Sequence, residues 1–224
     1  GVTIATDPDR LDFLKAERAK HRNMDLDTEI ISPAEIKELC PVLNIDDILG
    51  GLYDPLDGHL DPSGTTQAYA KAARMGGAEI YLRNRVLELN RKPDDSWDVV
   101  TEQGTINCEY VINAAGLWAR EVGAMAGVYL PLHPMEHQYL VTDDIAEVYE
   151  RDTELPHIMD PAGESYFRQE GRGLVIGIYE QACEPWAVGG TSWDFGAELL
   201  PDNLDRIEAP LAEAYHRYPC LAEA

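Results

Sequence analysis

The sequence predicts an α+β fold in which two sub-structures share one chain. Two observations carry this. From residue 62 to 127 the pattern runs helix, strand, β-meander, strand, helix. From 128 to 200 it alternates as a largely antiparallel sheet broken by hairpin turns. The short elements of residues 1–60 are read as part of the same body as 131–224, with 61–130 forming the other.

Each element has a local signature. Asp7-Pro8 opens a first helix at its favoured proline position, with Leu11, Leu14 and Arg18 following. Ser32-Pro33-Ala34-Glu35 is a capping box, Ile36 and Leu39 give that helix an apolar face, and Pro41 ends it. Gly50–Tyr53 reads as a short strand. Asp61-Pro62 starts a third helix over 63–75, stopped by Gly76-Gly77. Three strands are expected next: Glu79–Leu82 running on toward Leu89, Trp97–Thr101, and Thr105–Asn113. Leu117–Ala126 is a short helix closed by Gly127, and His137–Thr142 is a strand. Ser165–Gln169 and Leu174–Tyr179 flank Glu170-Gly171-Arg172-Gly173 as a hairpin. Residues 181–200 read as a long loop, and Leu204, Ile207, Leu211 and Tyr215 space a last helix with Pro210 inside it.

Composition narrows the classes of function. The chain has 224 residues, with 18 basic against 41 acidic side chains and a net charge of −23. That disfavours nucleic acids and anionic membrane surfaces as partners. Residues 1–20 lack a signal-peptide core, and no apolar run reaches membrane-spanning length. Cys40, Cys108, Cys183 and Cys220 form no CxxC and read as reduced thiols. The expected compartment is cytoplasmic, or the mitochondrial matrix in a eukaryotic source. Residue 1 falls directly before β-rich Val2-Thr3-Ile4, and the chain stops just after a helix-like stretch. The expectation is a central piece of a longer protein.

The most informative stretch is Val111–Arg120. Apolar β-formers give way to Ala114-Ala115-Gly116, and a helix pattern then begins. Small residues let a flat or phosphorylated ligand approach the backbone, and a following helix would aim free N–H groups at it. A tight strand-to-helix turn without a ligand has the same pattern. Asn113 reads as a backbone cap.

Several of these residues together resemble a known family. Asp57-Gly58-His59-Leu60-Asp61-Pro62, Gly77-Ala78-Glu79-Ile80, Val86 and Val111–Ala119 look like the D-amino-acid-oxidase-like flavoenzymes. Pro134–Thr142 and Tyr166-Phe167-Arg168 point within them to the dimethylglycine and sarcosine dehydrogenases. The resemblance implies an incomplete FAD-binding subdomain at 61–130, joined to a largely antiparallel substrate domain of the D-amino-acid-oxidase type at 1–60 and 131–224. It implies FAD as cofactor, contacted by Val86, Ala115, Gly116 and Trp118. It also implies His137 and Tyr166 as the catalytic pair on the substrate side. Two hallmarks are missing from these residues: a strand–GxGxxG–helix and the Gly-rich segment that closes over the flavin. The histidine that carries a covalent flavin link in many relatives would lie upstream, and the folate-binding module of the longer relatives is absent.

The chemistry asks for such groups. Oxidation at an N-methyl carbon passes a hydride to flavin and needs the amine lone pair free. Histidine titrates near neutrality and can hold or take that proton. A tyrosine hydroxyl can bond a carboxylate or an ordered water. Bland alternatives stand beside each reading: Val86 as a core residue, Trp118 as packing, His137 as a hydrogen-bonded strand residue, Tyr166 as a hairpin aromatic. Arg168 can pair a carboxylate or simply decorate the hairpin. His133 and His137, separated by Pro134, do not suit a metal, so none is expected. The expected function is an FAD-dependent dehydrogenase or oxidase acting on the C–N bond of a small N-methylated amino acid, inactive as this piece alone, with the electron acceptor open. The alternatives are another amine or hydroxy-acid oxidase of the same fold and a non-catalytic binding or assembly domain.

Overall fold

A computed structural model describes residues 1–223. The chain forms two compact units: residues 1–59, 137–183 and 201–223 make the first, and 60–136 with 184–200 make the second.

The first unit is built on a seven-stranded sheet. Its strands are β1 (Val2–Ala5), β2 (Glu29–Ile31), β3 (Gly50–Tyr53), β7 (Gln138–Val141), β8 (Ile158–Asp160), β9 (Ser165–Glu170) and β10 (Gly173–Ile178), with β4–β6 belonging to the second unit. The order is β2-β3-β1-β8-β9-β10-β7, and every pairing is antiparallel except β1 with β8. One face carries Val2, Ile4, Ile158, Phe167, Leu174, Ile176 and Ile178, all buried. Those residues pack with α2 (Pro33–Leu39), α5 (Ala146–Tyr149) and α6 (Leu204–Arg217) through Ile36, Val148, Ile207 and Ala214. On the other face α1 (Pro8–Asn23) covers one end, where Leu14 meets Ala5 and Leu52.

Caps fix the helix starts as the sequence predicts. Asp7 accepts from the Arg10 N–H at 2.8 Å, and the Ser32/Glu35 box is closed in both directions. Arg217, at the end of α6, ties three segments together. Its guanidinium donates to both Asp47 carboxylate oxygens at 2.6 and 2.9 Å, to Asp160 Oδ2 at 2.8 Å and to the Asn44 carbonyl at 2.9 Å.

The second unit holds α3 (Pro62–Met75), the meander β4 (Val86–Arg91), β5 (Trp97–Thr101) and β6 (Gly104–Cys108), a 3₁₀ turn at Gly116–Trp118, and α4 (Ala119–Met125). Two strand expectations are corrected here. Residues 79–85 are not strand, and β6 ends at Cys108 instead of reaching Asn113. Residues 109–113 have β-forming side chains, but no described strand pairs with them. Ile112 is accordingly 89% exposed. Among the described residues, Leu89 is the one large apolar side chain of this unit that is buried. No described helix is long and apolar enough to cross a membrane.

Candidate active site

Two places in the chain gather the residues that the sequence singles out, one in each unit.

In the first unit, the sheet face opposite the main core carries exposed or half-buried side chains on β8, β9 and β7, while β10 between them is buried. Strand alternation puts Met159, Tyr166, Gly177 and Tyr139 in one row across it, because Met159 pairs Tyr166, Tyr166 pairs Gly177 and Gly177 pairs Tyr139. Tyr179 lies two residues past Gly177. A chain of ring contacts runs along this face. His137 meets Tyr179 edge-on at 6.2 Å, Tyr179 meets Tyr166 at 5.7 Å, and Tyr166 meets His157 edge-on at 5.8 Å. His137 and Tyr166, predicted as a pair, are thus gathered into one cluster with Tyr179 between them.

The cluster has a charged margin. Burial holds the His157 imidazole below the usual histidine range, against the pull of Asp57, whose Oδ2 is 3.9 Å from His157 Nδ1. Arg168 and His59 push the same way as burial. Arg168 itself is engaged within the hairpin, donating to the Gln169 carbonyl at 3.2 Å and pairing with Glu170.

In the second unit, Val86, Ala115 and Trp118 line one cavity of about 650 Å³ together with Arg85, Glu102 and Trp193. The Trp118 indole N–H donates to the Ser192 carbonyl at 2.9 Å, which fixes the ring. Arg85 lies over the Trp193 ring at 6.0 Å and 3.3 Å from a Glu102 oxygen. The small-residue run differs from expectation in one respect. Gly116–Trp118 is a 3₁₀ turn, and the α-helix starts only at Ala119. Asn113 bonds the backbone on both sides of this turn, accepting from the Ala115 N–H at 3.1 Å and donating to the Ala119 carbonyl at 2.8 Å, although the turn itself has no side-chain cap. Gly116 has φ +52°, and a Cβ built there would meet nothing within 4 Å, so its backbone is open to a ligand.

Residues 184–200 brace this cavity. The Thr191 N–H donates to Glu121 Oε1 at 2.9 Å, and Arg120 donates to the Ala187 carbonyl at 3.0 Å. Burial pushes the Glu121 carboxyl up, and hydrogen bonds from Thr191 and Arg120 outweigh this and hold it below the usual carboxylate range. Sequence reasoning missed Tyr179, His157, Gly177, Arg85 and Trp193. The hairpin turn fixes the β9–β10 register, which puts Gly177 opposite Tyr166 and Tyr179 on the same face. No local signal marks the other three.

A family model described as FAD dependent oxidoreductase matches residues 1–224.

The chain belongs to the FAD-dependent oxidoreductase family.

Within that family it is 41% identical over 228 residues to the mitochondrial dimethylglycine dehydrogenase of Rattus norvegicus, covering 100% of this chain and 27% of that protein. It is 34% identical to the mitochondrial sarcosine dehydrogenase of Mus musculus, covering 99% and 24%. Among solved structures, L-proline dehydrogenase from P. horikoshii superposes with a TM-score of 0.80 at 25% identity, covering 99% of this chain and 56% of that one. The chain therefore spans about a quarter of the length of these two curated relatives. The family's cofactor fits the second-unit cavity in part. Trp118, Trp193 and Val86 offer flat and apolar walls of the kind that accept a fused aromatic ring, and the backbone at Gly116 is open. A glycine-rich phosphate loop of the GxGxxG type is not among the 224 residues.

Proposed function

We propose that this chain contributes the substrate-facing sheet and part of the cofactor site of an FAD-dependent oxidoreductase. Its reaction is oxidation of the C–N bond of a small N-methylated amino acid such as dimethylglycine or sarcosine. The observation that carries the reading is the His137–Tyr179–Tyr166 cluster on the sheet face opposite the main core, in a chain 41% identical throughout to a dimethylglycine dehydrogenase. On this reading 1–60 and most of 131–224 serve the substrate, and 61–130 serves FAD together with residues 184–200, whose Trp193 lines the same cavity.

Bound FAD would supply the two-electron acceptor for a hydride from the N-methyl carbon. Val86, Ala115, Gly116 and Trp118 would hold it, through side-chain walls at Val86 and Trp118 and through backbone at the two small residues. His137 takes or holds the amine proton, so that the nitrogen lone pair is free when the hydride leaves. The Tyr166 hydroxyl bonds the substrate carboxylate or a water beside it. The faces of Tyr166 and Tyr179 offer π surface to a methylated ammonium before it loses its proton. The compartment proposed is the mitochondrial matrix in a eukaryotic source, in keeping with the word mitochondrial in the two relatives' names, and the cytoplasm otherwise.

The test is stopped-flow flavin reduction by dimethylglycine in the FAD-loaded full-length parent that contains these residues. His137→Ala should slow reduction by roughly 10²-fold or more, the scale of a positioned acid–base group. Tyr166→Phe, which removes only a hydroxyl, should cost less. Wild-type rates in both variants would place this face outside the reaction.

A further inference from the structure

We infer that Gly177 is a positioning residue, whose missing side chain is the seat that lays the Tyr166 phenol across β10. The inference rests on the reading that this sheet face meets the substrate. Gly177 pairs Tyr166 across the β9–β10 hairpin and Tyr139 across β10–β7. A Cβ built at Gly177 would fall 1.9 Å from Tyr166 Cε1, 2.1 Å from Cζ and 2.6 Å from the hydroxyl oxygen. The ring therefore occupies the space that any other residue at 177 would fill. Its hydroxyl end lies over β10.

The seat has walls. His157 stands edge-on to the Tyr166 ring at 5.8 Å, and Tyr179 packs against that ring at 5.7 Å. His157 Nδ1 lies 3.9 Å from Asp57 Oδ2, in the Asp57-Gly58-His59 motif that the catalytic reading leaves unused. Gly177 does not have a positive φ, so alanine fits the backbone there. The three atoms nearest an alanine Cβ there all belong to the tyrosine ring, which can swing away from the sheet.

Gly177→Ala should therefore displace the Tyr166 phenol while keeping its hydroxyl and the fold. The first readout needs no turnover. In the 224-residue chain with labelled tyrosine and glycine, NMR should show contacts between the Tyr166 ring protons and the Gly177 α-protons, with the latter shifted upfield by the ring. In Gly177→Ala the Tyr166–Tyr179 contacts should weaken. If the single variant does not fold, Gly177→Ala with Tyr166→Ala should, because the obstructing ring is gone. The second readout is kcat/KM for dimethylglycine in the FAD-loaded full-length parent, which should fall at least about 10-fold in Gly177→Ala, the scale of a misplaced group near the reaction. The inference is overturned if the wild-type ring shows no contact with residue 177, or if Gly177→Ala leaves the ring contacts unchanged. A ring that moves while kcat/KM stays at the wild-type value keeps the seat and overturns the reading that Tyr166 meets the substrate.

Discussion

Replacing Arg217 by methionine should destabilise the first unit more than any exposed substitution. Arg217 is 4% exposed and Asp160 2% exposed. The guanidinium donates to Asp160 Oδ2 at 2.8 Å, while Asp160 Oδ1 accepts only from the Gly163 N–H at 3.0 Å among the bonds described. Removing the cation leaves a buried carboxylate with one backbone donor. Breaking a buried pair from one side costs about 3–5 kcal/mol. Asp47, the other partner, is 46% exposed at its side chain and returns to water at little cost. For a chain of this size about 1 kcal/mol moves the midpoint by about 2–4 °C, so the expected fall is roughly 6–20 °C by thermal circular dichroism. Asp160→Asn added to Arg217→Met should recover part of the loss, because a neutral amide needs no cation. A single-variant midpoint within about 2 °C of wild type, or a double variant no better than the single, would refute the reasoning.

Other outcomes follow from the same geometry. Trp118→Ala in the FAD-loaded full-length parent should disturb the flavin spectrum more than the melting midpoint, since its indole lines the cavity and loses one bond to Ser192; an unchanged spectrum and turnover would make it packing only. The 224 residues expressed by themselves should purify without stoichiometric FAD, as they contain no GxGxxG phosphate loop; a yellow protein with one flavin per chain would contradict this. Hydrogen bonds from Arg217 hold the Asp47 carboxyl below the usual carboxylate range. Its contribution is therefore present at neutral pH and lost as pH falls below about 4 through the folded-state value. Melting curves from pH 7 to pH 3 should show this acid loss, and it should shrink in Arg217→Met.

Local chemistry made much of this fold legible. Asp7-Pro8, the Ser32/Glu35 box and Asp61-Pro62 start helices where the caps form, and Gly171 marks the β9–β10 turn. Non-local pairing was not legible. β2 and β8 are three residues each, and β8 is placed by parallel pairing with β1 far away in sequence. Residues 109–113 show the converse error: apolar β-formers make a strand only with a partner, and these have none described. The candidate site divides in the same way. Tyr166 was reached through family resemblance, and Tyr179 follows from the hairpin register. His157 depends on where β8 lands, and Trp193 on how a loop with no regular structure folds back.

The two gathered sites are held by different physics. On the sheet face, the β9 and β10 residues that point away from the main core have neighbours in sequence buried in it. Tyr166 stands between Ser165 and Phe167, and Gly177 between Ile176 and Ile178, all four buried. Phe167 stacks on Tyr218 with centroids 4.5 Å apart. Strand alternation thus converts core packing into placement of the ring cluster, which suits groups that must be fixed before a substrate arrives. The second-unit cavity has no such backing of its own, since Leu89 is the one large apolar side chain buried there among the described residues. Its walls are set by hydrogen bonds from the Trp118 indole, Arg120 and Thr191. A ligand that binds only the folded form adds stability in proportion to its occupancy. FAD should therefore order the second unit far more than it orders the sheet, because the sheet already carries its own core.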